Sequence, residues 1–60
     1  MKKYCIELSY EGEKDSAVVM VESDEYADVC MIARGWLMAS FAIRVDVYDS
    51  EGDLLIAYTR

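Results

Sequence analysis

One segment with helical spacing stands between two pairs of short apolar runs that have strand character. Tyr4, Ile6, Leu8 and Tyr10 alternate with Cys5, Glu7 and Ser9. A period of two puts all four large residues on one face of a strand. Glu11-Gly12-Glu13-Lys14-Asp15 follows as a turn. The next run, Ser16 to Glu22, is centred on Ala17-Val18-Val19-Met20-Val21. It is continuous rather than alternating, which predicts a strand buried on both faces or central in its sheet.

The helical period begins after Ser23. Ser is a favoured N-cap because its hydroxyl accepts from free amides of the first turn. Asp24 and Glu25 place negative charge where a helix dipole is positive. The spacing predicts a helix from Asp24 to about Ser40. Its core stripe is Tyr26, Val29, Cys30, Ala33, Trp36, Leu37 and Ser40. Two strands follow, Ile43 to Asp49 and Asp53 to Thr59. Gly52, the last residue of the intervening turn, suits a three-residue hairpin. That turn pairs Asp49 with Asp53, Val47 with Leu55 and Val45 with Ala57. One face then holds Ile43, Val45, Val47, Leu55 and Ala57. The other holds Arg44, Asp46, Tyr48, Leu54, Ile56 and Tyr58. The expected fold class is α+β, a ββαββ order: a four-stranded antiparallel sheet with one helix packed across one face. The 60 residues form a single domain.

Such a domain buries roughly 60% of its unfolded surface and usually needs a disulfide, a metal or a second chain to be stable. The first two are poorly provided for. Cys5 and Cys30 are 25 positions apart and form no CxxC pair, so they read as free thiols. There is no His, the commonest metal ligand and general base. Asp49, Glu51 and Asp53 match the start of a calcium-loop spacing. The glycine falls too early, however, and Arg60 stands where the closing Glu belongs. The three glycines are isolated, which excludes a phosphate-binding loop. No cofactor and no enzymatic activity are expected.

The third provision, a second chain, is favoured by an excess of apolar surface. Hydrophobic residues make up 55% of the chain. The expected helix carries only Asp28 and Arg34 as charges between Tyr26 and Phe41. Two surfaces are candidates for a homodimer: the sheet face of Tyr48, Leu54, Ile56 and Tyr58, and the helix face of Met31, Gly35 and Met38. Edge-strand pairing across a two-fold axis is a third route. Extended apolar patches on small proteins tend to mark contact surfaces.

Charge narrows the partners. Twelve Asp plus Glu against six Lys plus Arg give a net charge of -6. That disfavours direct binding to nucleic acid or to anionic membranes. No apolar run approaches the ~18 residues that cross a bilayer, so a soluble, cytoplasmic protein is expected. The expected function is a small acidic protein–protein interaction module acting as a homodimer. The alternative is an acidic nucleic-acid mimic that inhibits a DNA-binding enzyme.

Overall fold

The computed structural model describes all 60 residues, Met1–Arg60. Strand β1 (Lys2–Ser9) and strand β2 (Ala17–Ser23) precede helix α1 (Tyr26–Ala39). Strands β3 (Arg44–Asp49) and β4 (Leu54–Thr59) complete the ββαββ order. All pairings are antiparallel, in one sheet of order β2-β1-β3-β4. The expected α+β class holds, with α1 across one face.

The alternation of β1 is borne out. Tyr4, Ile6 and Leu8 point into the core, together with Val45 and Val47 of β3 and Val29, Ala33 and Leu37 of α1. Ala42, just beyond the helix, completes it. Only ten residues are buried. The surface of 4268 Å² slightly exceeds the roughly 4000 Å² that scaling gives for this mass.

The position of β2 differs from expectation. It is an edge strand, not a central one, and Val18 and Met20 are exposed on the open side of the sheet. With one sheet face uncovered, the centre needs strands with one apolar face rather than two. The alternating β1 meets that need.

The pairing of β4 is also corrected. Asp49 pairs with Asp53 as expected, its amide donating to the Asp53 carbonyl at 3.0 Å. Tyr48 then faces Leu54, and a bulge follows. Leu55 is the extra residue, so Val47 faces Ile56 and Val45 faces Tyr58. The slip moves Ile56 and Tyr58 to the helix side, where both pack on the core. In the unbulged register, small Ala57 would have held the place that Tyr58 takes. More apolar area is therefore removed from water, at about 25 cal/mol per Å².

The helix starts later than the sequence suggests. Its N-cap is Glu25, with no side-chain capping bond. Ser23 instead accepts from the Glu25 amide at 3.1 Å, one step ahead of the helix. At the other end, Ser40 donates its amide and its hydroxyl to the Trp36 carbonyl. Arg60 reaches back from the end of β4. Its guanidinium donates to the carbonyls of Leu37, Ser40 and Ala42. It thereby satisfies helix-end acceptors that have no partner within the helix.

Candidate interaction surfaces

Three surfaces offer contact, and each follows from how the elements are laid down. The first is the open face of the sheet. Strand parity turns Cys5, Glu7, Val18, Met20, Arg44, Asp46, Tyr48, Leu54 and Ala57 to this side. Its centre is polar. Glu7 and Asp46 are direct neighbours across β1 and β3. Asp46 is only 6% exposed although no element covers it. It accepts from Arg44 Nε at 2.7 Å. Glu7 accepts from Ser16 Oγ at 2.7 Å and from the Tyr48 hydroxyl at 3.4 Å. Burial pushes the Tyr48 hydroxyl above its ordinary range, and the Asp46 and Glu7 carboxylates push it further.

The apolar residues of this face therefore form a rim around a charged centre. Of the four expected here, Tyr48 and Leu54 are present. Ile56 and Tyr58 have turned to the other side with the bulge, so the open face is less apolar than the sequence implied. The sequence pattern does not single out this polar centre as a unit. Its signal was the Arg44, Asp46, Tyr48 alternation, which places all three on one side of a strand.

The second surface is the back of α1. The helix buries the row Val29, Ala33 and Leu37. That row, one residue per turn, is narrower than the expected stripe. Trp36 falls at the margin and is 41% exposed, not part of the core. Met31, Gly35 and Met38 lie away from the sheet as expected, with Met31 and Met38 well exposed. An added Cβ at Gly35 would meet nothing within 4 Å. Ile32, Gly35, Trp36 and Ala39 line a shallow groove beside them.

The third surface is the flank of α1 beside Tyr58 of β4. Tyr58 and Tyr26 both neighbour Cys30. Arg34 lies 5.9 Å from the Tyr58 ring centroid, a cation–π distance. The Tyr4 and Tyr26 rings are 6.1 Å apart. Burial, with the Cys30 contact second, pushes the Tyr26 hydroxyl up to about 12. Tyr58 is raised chiefly by the neighbouring Cys30 thiol, with burial second. Both cysteines are free thiols. Cys5 lies on the open side of the sheet and Cys30 on the helix side, so the sheet separates them.

The fold and these surfaces define a ββαββ domain with one sheet face covered, one open, and two free strand edges. No family model, curated protein or solved structure matches the chain. No helix is long and apolar enough to cross a membrane.

Proposed function

We propose that the protein is a small self-associating interaction module whose copies join through the free edge of β4. The observation that carries this reading is the character of that edge. Leu54-Leu55-Ile56-Ala57-Tyr58-Thr59 contains no charge, no Pro and no Gly. Free edges usually carry such devices to block pairing with another chain. Here the bulge at Leu55 is the only one, and it leaves Ile56 to Thr59 regular.

The ends of β4 favour a second copy. Asp53 precedes the strand and Arg60 follows it. An antiparallel pair about a two-fold axis sets unlike charges near each other at both ends. Centred on Ala57, that pair opposes Ile56 of one copy to Tyr58 of the other, twice, on the helix side. Such β-branched–aromatic pairs contribute roughly 0.2–1 kcal/mol each. A standard interface buries about 800 Å² per partner, nearly a fifth of the 4268 Å² available. Leu54 and Leu55, 50% and 42% exposed, supply part of that area at the bulged end.

The carboxylates support self-association over nucleic-acid mimicry. Nine of the twelve gather in turns, at strand ends or before α1, while Glu7 and Asp46 sit at the centre of the open face and Asp28 in α1, a patchy distribution rather than a row.

Light scattering after size exclusion should give a mass near twice 6.9 kDa. Ala57→Lys sets two like charges at the axis and should return a folded monomer. A wild-type chain that stays monomeric at high micromolar concentration overturns the reading.

A further inference from the structure

The β4 pairing has a geometric result on the helix side of the sheet. An antiparallel pair about a two-fold axis joins two four-stranded sheets into one, with both α1 helices on the same face. In each copy α1 packs over β1 and β3, on Ile6, Leu8, Val45 and Val47. The midline of those strands lies two strand spacings from the seam, about 9.6 Å. The two helices therefore stand about 19 Å apart, where packed helices sit about 8–10 Å apart. The trough between them is one helix wide. Its floor is Ile56 and Tyr58 of both copies, which a single chain leaves half-buried.

Charge in this trough is of one sign. Arg34 lies on the flank of α1 that faces the seam, 5.9 Å from the Tyr58 ring centroid. It takes no part in the ion pairs of the chain, Met1–Asp24, Lys3–Glu22 and Arg44–Asp46. Asp28, the other charge of the helix, stands about 120° round its axis from Arg34. Glu25 lies about 13 Å along that axis, beyond the reach of an exposed charge at physiological salt. The nearest carboxylate on the β4 side is Asp53 of the other copy. It is about 10 Å from Tyr58 along the ladder, and Arg60 stands between them. The two Tyr58 residues are diagonal neighbours across the seam, about 7–8 Å apart. Two unpaired guanidinium groups thus overlook one apolar floor.

We infer that the seam between two copies is a groove for one amphipathic helix of another protein, with an apolar stripe and a carboxylate on each flank of that stripe. The stripe lies on Ile56 and Tyr58 of both copies, and each flank meets one Arg34. Apolar floor and charged walls are what a helix-in-groove contact uses. This rests on the β4 reading, because a single chain supplies half the floor and one guanidinium. The ratio is one helix to two chains.

The test uses a fluorescein-labelled peptide of three Glu-Leu-Ala-Lys-Leu-Glu-Ala repeats, titrated with the full chain by anisotropy, with light scattering on the same samples. Glu on both sides of the Leu stripe also discourages the peptide from pairing with itself. Saturation is expected at one peptide per dimer. Arg34→Gln, at an exposed position, should weaken binding at least about tenfold and leave the dimer mass unchanged. Val18→Lys, on β2 at the far edge, should bind as the wild type does. Ala57→Lys should abolish binding together with the dimer. A wild-type dimer that does not bind the peptide overturns this inference and leaves the β4 reading standing. Equal binding by Arg34→Gln overturns it too, as does saturation at one peptide per chain. A wild-type chain that is monomeric overturns both.

Discussion

Replacing Gly35 with Ala tests whether the back of α1 is a contact surface or simply exposed. Gly35 sits in mid-helix with ordinary helical backbone, since the positive φ values belong to Gly12 and Gly52. In such a position Gly costs about 1 kcal/mol relative to Ala. The new methyl group would meet nothing within 4 Å, so no packing conflict offsets the gain. Unfolding entropy near 2.1 cal/mol/K per residue, over 60 residues, converts 1 kcal/mol into a Tm rise of about 8 °C. Thermal denaturation followed by circular dichroism reads this directly, at several protein concentrations. If copies join through β4, Gly35→Ala should raise Tm and leave the dimer mass unchanged. A fall in Tm, or dissociation of the dimer, would refute this account. It would show that a second helix approaches Gly35 closely and that Met31 and Met38 belong to the interface.

Two further outcomes follow from the packing around the same helix. Arg60→Ala removes the donors that reach the carbonyls of Leu37, Ser40 and Ala42. It should cost about 1–2 kcal/mol in urea denaturation, with faster hydrogen exchange at the helix end and at Thr59. Tyr26, raised from 10.0 to about 12, is held neutral in the fold more firmly than in the unfolded chain. The stability this contributes is complete below pH 10 and is lost as pH climbs from 10 towards 12. Ultraviolet titration of the tyrosinates should show part of the signal lagging until the chain unfolds. Tyr26→Phe should remove part of that lag, and an unchanged curve would contradict the assignment.

The element order, the single helix and the core face of β1 were legible from spacing alone. The Asp49–Asp53 closure was legible because this short turn needs a left-handed residue at its last position, and Gly52 takes that positive φ of 86° without strain. The β4 register was not. A bulge inserts one residue where no Gly or Pro announces it, and the choice is made by what the helix side can bury. Tyr58 in place of Ala57 is a tertiary gain with no local signal. The edge position of β2 was hidden for a related reason. An apolar run states that a strand avoids water, and it does not state whether another strand or another molecule provides the cover. Helical spacing alone makes the stripe too wide, because it admits Trp36, which is 41% exposed. The contact line is the single row Val29, Ala33 and Leu37. The polar centre of the open face was visible only as parity. That Asp46 would be almost fully enclosed there depends on Arg44 and its strand neighbours lying over it.

The central β1–β3 pairing has a consequence for how the chain comes together. Residues 4–9 meet residues 44–49, so the middle of the sheet cannot close until the helix and the third strand exist. Each hairpin is local in sequence, although an isolated two-stranded hairpin is at best marginally stable. The join between them spans most of the chain and carries the loop-closure entropy of that span. On the ribosome, the first hairpin must therefore wait with both its inner face and the far side of β1 uncovered. That interval, rather than the finished fold, is when this apolar chain is most exposed to mispairing.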